Sequence, residues 1–210
     1  LDTLKPVRLE RGLDDREYIE GLVLLNNSEM VRLTSTYDGE AGGHQYFLVF
    51  HDAAGAQIGR YEITEQLYGG GKWDEEDLYP VSMAADGRNH IYVMLGGMST
   101  VIHMFDTHGN LEFSVEESGH SVGLYRNESG EVFCIGDKQT IGARNTVLRR
   151  LDAAAGDFAE TWEGLPDQVD LACFDGEDTI LISSDNALYR YHMADQSREV
   201  VLNWLNMSMA

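Results

Sequence analysis

Apolar and polar residues alternate along most of the chain in short runs, each ended by a turn. Residues 101–115, VIHMFDTHGNLEFSV, alternate, break at Asp106-Thr107-His108-Gly109 and then resume. A period of two sends successive side chains to opposite faces, so such runs predict half-buried β-strands joined by a hairpin. The same spelling returns at YFLVFHDAAGAQIGRY, TVLRRLDAAAGDFAETW and ALYRYHMADQSREVVLNW. In three of the four, Asp opens the turn and Gly closes it: Asp52 to Gly55, Asp106 to Gly109 and Asp152 to Gly156. An Asp carboxylate accepts from the turn's own amides, and Gly takes a left-handed backbone at little cost. The fourth hairpin has drifted to Ala194-Asp195-Gln196-Ser197.

A second strand–turn–strand precedes each hairpin, over residues 21–38, 80–97, 121–138 and 170–186. Its turns fall at Asn26-Asn27, Asp86-Gly87, Ser129-Gly130 and Asp175-Gly176. With Phe50, Phe105, Leu151 and Tyr191 as equivalent positions, the spacings are 55, 46 and 40, the first lengthened by an insertion, LYGGGKWDEEDLYP, at 67–80. Four strands in roughly 40–45 residues is the period of a propeller blade. A helical solenoid needs apolar residues at a period of 3.6, and no long segment shows it. The expected fold is therefore all-β, a β-propeller or partial propeller with about four to five four-stranded blades. A single domain over residues 1–210 would hold blades near 1–66, 80–118, 121–165 and 168–206.

Val132–Ile135 and Thr179–Ile182 are apolar on both faces, as in sheets sandwiched between neighbours. The run with Val101, His103 and Phe105 against Ile102 and Met104 reads instead as an outer or rim strand with one wet face. Four blades is the low end for a closed ring. The chain thus reads as a piece of a longer propeller, or as one whose residues 1–20 add a partial blade.

The Asp-x-x-Gly hairpins resemble those of NHL and related six-bladed propellers. The last unit, DTILISSDNALYRYHMADQSREVVLNWLN, resembles blades of the propeller-like region that precedes the solute-binding domain in some lipoproteins of Gram-positive gut bacteria. Those blades end in a similar Leu-x-Trp outer strand, and the likeness extends over residues 80 to 206. It implies an extracellular or cell-surface-tethered context and carries no catalytic motif.

Composition narrows the partners. With 43% hydrophobic residues, 22 Gly and only 3 Pro, the chain has the makeup of a folded domain. Its 36 acidic residues against 15 Lys and Arg give a net charge of −21, which repels a phosphate backbone and excludes DNA and RNA as ligands. No run approaches the ~20 apolar residues that cross a bilayer, so no direct membrane insertion is expected. Cys134 and Cys173 lie in apolar runs and read first as buried thiols, with a disulfide or a reactive role as alternatives.

Catalytic motifs are missing: there is no G-x-S-x-G, S-x-x-K, HExxH or EF-hand spacing, and GGGK at 69–72 lacks the frame of a phosphate loop. Of the seven His, His51 and His192 follow the equivalent residues Phe50 and Tyr191. That slot holds the turn aspartates Asp106 and Asp152 elsewhere, so turn structure explains it and no metal or cofactor is expected. The 67–80 insertion is the candidate ligand site, because loops on a rigid ring carry binding. Tyr68, Trp73 and Tyr79 could stack on a sugar or a peptide, while Asp74, Glu75, Glu76 and Asp77 could accept hydrogen bonds or coordinate calcium. Residues 61–125 hold 11 carboxylates and 2 cations, which favours cationic or polyhydroxyl ligands. The expected function is a non-enzymatic module binding protein or carbohydrate, with a role accessory to a solute-binding lipoprotein as what the resemblance implies. The alternatives are a lyase or glycan hydrolase with an axial metal or carboxylate site, and a structural spacer.

Overall fold

The computed structural model describes residues 17–39, 43–69, 78–97, 99–117, 119–140 and 143–203. They form four antiparallel sheets of four strands, each in simple up-and-down order. Blade 1 contains β1 (Glu17–Leu24), β2 (Met30–Asp38), β3 (Gly43–His51) and β4 (Gln57–Glu62). A one-turn helix, α1 (Thr64–Leu67), follows. Blade 2 contains β5 (Leu78–Ala85), β6 (Ile91–Gly97), β7 (Thr100–Phe105) and β8 (Leu111–Glu117). Blade 3 has β9 (Ser121–Arg126), β10 (Val132–Thr140), β11 (Ala143–Asp152) and β12 (Asp157–Trp162). Blade 4 has β13 (Leu171–Phe174), β14 (Thr179–Ser184), β15 (Ala187–His192) and β16 (Ser197–Asn203).

The first strands are neighbours in order, β1 beside β5, β5 beside β9 and β9 beside β13, so they line a common axis and the fourth strands lie outermost. Among the described residues no comparable packing joins β13 back to β1, and the four blades form an open arc. Three apolar layers hold it together. Val31, Leu33, Leu48 and Phe50 of blade 1 meet Ile91, Val93, Leu95, Val101 and Phe105 of blade 2. Tyr92, Met94, Ile102 and Met104 meet Val132, Cys134 and Leu151 of blade 3. Phe133, Ile135 and Leu148 meet Ile180, Ile182 and Tyr191 of blade 4. Each fully buried large side chain contributes about 1.5–3 kcal/mol of transfer free energy.

Blade 2 corrects one expectation. The 101–105 segment is the third strand, not a rim strand, and every residue of β7 is buried. Alternation failed there because His103 is a polar residue inside the core, its Nδ1 2.8 Å from Ser114 Oγ. Wet faces belong to the fourth strands, such as β16.

The turns behave as their chemistry dictates. Asp52 Oδ1 accepts the amides of Ala54 and Ala56, and Asp106 Oδ1 those of His108 and Asn110. In the drifted fourth hairpin Asp195 Oδ1 still accepts from Ser197, and Gln196 takes the left-handed conformation (φ 55°) that glycine fills elsewhere. These hairpins also join blades. A Cβ at Gly109 would lie 2.6 Å from Tyr61 Cβ, so blade 2's closing turn rests on the fourth strand of blade 1.

Cys134 is buried, but Cys173 is exposed, contrary to the sequence reading, because it points from the side of blade 4 that no described strand covers. Both thiols are free, and burial pushes that of Cys134 up to about 11.

Candidate functional site

The two ends of the arc differ. At one end lie the turns between first and second and between third and fourth strands. The other end carries the connections between blades, and there the starts of β5 and β9 and the segment leading into β13 enclose a cleft of about 480 Å³. Tyr79 and Val81 form its apolar side, with Tyr79 55% exposed. Register explains their placement: Tyr79 pairs with Gly96, and β5 shifts register between Pro80 and Ser82, at Val81. His120, Asp137, Asp167 and Gln168 also line the cleft.

Backbone approach positions the polar side. Asp137 N donates to the His120 carbonyl at 2.8 Å, and a Cβ on neighbouring Gly136 would come within 2.8 Å of Ser121 Oγ. Glycine at 136 therefore lets the loop bearing His120 lie against β10, with the imidazole exposed and its Nδ1 3.4 Å from the Gly97 carbonyl. Thr146 links the two acidic segments. Its hydroxyl donates to the Asp167 carbonyl (2.9 Å) and lies 3.5 Å from Asp137 Oδ1. The cleft thus offers one exposed aromatic ring, an aliphatic wall and two carboxylates. This combination suits a cationic or hydroxyl-rich ligand.

Of the residues singled out in the insertion, Tyr79 lies in this cleft. Tyr68 does not: it is 7% exposed, packs 5.9 Å from the Tyr46 ring and donates its hydroxyl to the Leu78 carbonyl at 3.3 Å. Tyr68 is a core anchor, with no free face for stacking. Trp73, Asp74, Glu75, Glu76 and Asp77 lie outside the described residues. Val81, His120, Asp137, Asp167 and Gln168 escaped the sequence reading because three separate strand ends contribute them.

A second cleft, of about 400 Å³, lies at the turn end between blades 2 and 3. Its polar groups are engaged within the protein. Asp86 accepts from the amides of Arg88 and His90 and lies 2.7 Å from His90 Nδ1. Burial first, and the Asp86 charge second, hold the Tyr92 hydroxyl well above its ordinary pKa. Arg150 bridges Glu131 (2.9 Å) and Glu160 (3.0 Å). Turn-to-turn bonds run along this end: Asn26 N to Asn89 Oδ1 (2.8 Å), Arg126 to Asn26, Gly87 N to the Gly130 carbonyl (2.8 Å) and Asn127 Nδ2 to the Glu177 carbonyl (3.3 Å). These bonds connect all four blades in sequence.

His51 and His192 serve packing. Arg32 Nε donates to His51 Nε2 at 3.0 Å, which leaves the proton on Nδ1 to be donated to the Gly55 carbonyl at 3.1 Å. His192 Nδ1 lies 3.5 Å from Thr179 Oγ1. Among the described residues no three His, Cys, Asp or Glu side chains converge as metal ligands, and no helix is long and apolar enough to cross a membrane.

No protein-family model matches the chain, and no curated protein does. Solved structures are similar in fold. The acylaminoacyl peptidase of Pyrococcus horikoshii superposes with a TM-score of 0.59 at 13% identity, over 89% of this chain and 32% of that one. The β-propeller domain of the trilobed protease from Pyrococcus furiosus gives 0.58 at 12% identity, over 90% and 58%. The Dos1 propeller gives 0.54 at 14% identity, over 84% and 45%. The chain therefore spans between about a third and three fifths of the length of these structures. The likeness and the four stacked sheets together make this chain an array of β-propeller blades.

Proposed function

We propose that the chain is a non-enzymatic binding module whose site is the cleft beside the axis, and that its ligand is a basic peptide segment of a protein partner. The observation that carries this reading is that exposed Tyr79 lines one cleft together with Asp137 and Asp167. A Lys or Arg stem packs on Tyr79 and Val81 while its charged end reaches the carboxylates. The net charge of −21 speeds encounter with a basic partner over distances of about a Debye length. The proposed setting is extracellular or cell-surface tethered, next to a solute-binding domain, on the strength of the blade resemblance.

Carbohydrate is the second reading. Tyr79 could stack on a sugar face, with Asp137 and Asp167 accepting from hydroxyls. The test is binding of the purified chain to an array of basic, acidic and neutral peptides beside a glycan array, repeated with Tyr79→Ala and Asp137→Asn. Basic peptides should bind, and each substitution should weaken binding about 10-fold or more. Binding to glycans alone would transfer the site to the second reading. Peptide binding indifferent to both substitutions would remove the cleft as the site.

A further inference from the structure

We propose that His120 makes the cleft release its ligand on acidification: once protonated, the exposed imidazole competes with the ligand's cation for the same carboxylates. The proposal rests on the basic-peptide reading and adds to it how the site is regulated. Among the described residues that line the cleft none is Lys or Arg, and His120 is the one that can gain positive charge. Carboxylates ordinarily titrate at about pH 4 and tyrosine hydroxyls at about pH 10, so histidine is the residue type here that changes charge between about pH 5 and 8.

The backbone at His120 is fixed in the wall. The Gly119 carbonyl accepts from Thr100 Oγ1 at 3.0 Å, and the His120 carbonyl accepts from the Asp137 amide at 2.8 Å. Gly119 has φ 141°, and a Cβ there would lie 2.7 Å from the Asp137 carbonyl oxygen, so glycine lets this loop lie against β10. These contacts anchor His120 beside the strand that carries Asp137. Its Nδ1 is 3.4 Å from the Gly97 carbonyl. A neutral or a charged ring can donate there, so protonation adds charge without breaking the contact.

The charges around it are of one sign. From β10 comes Asp137, and from the segment leading into β13 comes Asp167, with Asp170 beyond it accepting from Gln168 Nε2 at 3.2 Å. Among the described residues no Lys or Arg pairs with any of the three. β5 contributes the Tyr79 ring, β6 the Gly97 carbonyl, and Glu117 at the end of β8 is already paired with Arg149. With a neutral ring the wall therefore carries the uncompensated charge of Asp137 and Asp167. A proton on His120 offsets one of those charges and repels a Lys or Arg end in the same cleft. At separations of about 8 Å in a partly solvated cleft, that amounts to about a 5-fold loss of affinity.

The experiment is titration calorimetry of the purified chain with the tightest-binding His-free basic peptide from the array, N-acetylated and C-amidated. It runs between about pH 8 and 5.5 in about 150 mM salt, which screens histidines elsewhere. Affinity should fall about 5-fold toward the acid end. By linkage, the bound peptide should weaken proton binding at His120, followed by NMR, by the same factor. In His120→Gln the affinity should change less than about 2-fold over the range. His108→Gln, at an exposed turn on the opposite end, should keep the full response. Failure of every basic peptide to bind at about pH 8 defeats the reading, and this proposal with it. Binding indifferent to pH, an acid loss that survives in His120→Gln, or a response that His108→Gln also removes overturns the regulation alone and leaves the reading standing.

Discussion

The amide of Gly87 donates to the carbonyl of Gly130 at 2.8 Å, tying the first turn of blade 2 to the first turn of blade 3. The approach depends on glycine at 130, since a Cβ on Gly87 would make only ordinary contacts of 3.4 Å or more. Gly130 has φ 86°, and a Cβ there would lie 2.6 Å from Gly87 Cα. Gly130→Ala should therefore cost about 2–4 kcal/mol, from a strained backbone plus a displaced turn. Gly176 is the matched control: φ is 100°, but nothing lies within 4 Å of its Cβ position. Gly176→Ala should cost about 1 kcal/mol from backbone strain alone. Urea unfolding of the two variants measures the difference, and equal costs would mean that the turn–turn contact contributes nothing.

The Arg32–His51 pair should be strongly asymmetric on mutation. Arg32 is 2% exposed and His51 1%. His51→Ala deprives a buried guanidinium of its acceptor and should cost about 2–4 kcal/mol. Adding Arg32→Met to His51→Ala should recover part of that loss, because the stranded charge goes with it. A double-mutant cycle by chemical denaturation gives the coupling.

Alkali should loosen the layers on both sides of blade 3, Cys134 lying in the layer against blade 2 and Tyr125 against the layer shared with blade 4. Burial raises the Cys134 thiol from 9.0 to about 11 and the Tyr125 hydroxyl from 10.0 to about 12. The unfolded chain therefore releases these protons first. Their contribution to stability is complete below pH 9 and is lost as pH rises through 11 and 12. In Cys134→Ala the decline between pH 9 and 11 should be shallower than in the parent, read from urea midpoints at three pH values.

Tyr68 and Tyr79, eleven positions apart, should separate stability from binding. Tyr68→Ala empties a core site and should cost about 3–5 kcal/mol, while Tyr79→Ala should stay within about 0.5 kcal/mol of the parent. Thermal melts of both variants, beside peptide binding by Tyr79→Ala, check the division.

Strands and turns could be read from the sequence because local chemistry determines them. Asp52, Asp106 and Asp152 make their hairpins with their own neighbours' amides, whatever packs around them. Strand depth was harder, since His103 looks wet in a pattern and is dry in a sheet with neighbours on both sides. The candidate cleft was legible only at Tyr79. His120, Asp137 and Asp167 belong to no motif, and they meet because Gly136 lets one loop approach β10 while Thr146 holds Asp137 near the Asp167 backbone. Tyr68 was misplaced for the opposite reason: an aromatic residue inside an insertion looks available, and nothing local shows that it points inward.

The central claim, that the connection end of the axis is the binding site, is tested most directly by hydrogen exchange of the chain with and without the tightest-binding basic peptide from the array. Slower exchange should concentrate at residues 79–82, 119–122 and 167–169, the walls of the cleft. Slowing at the opposite turns, 86–88 and 129–131, or at none of these segments, would contradict it.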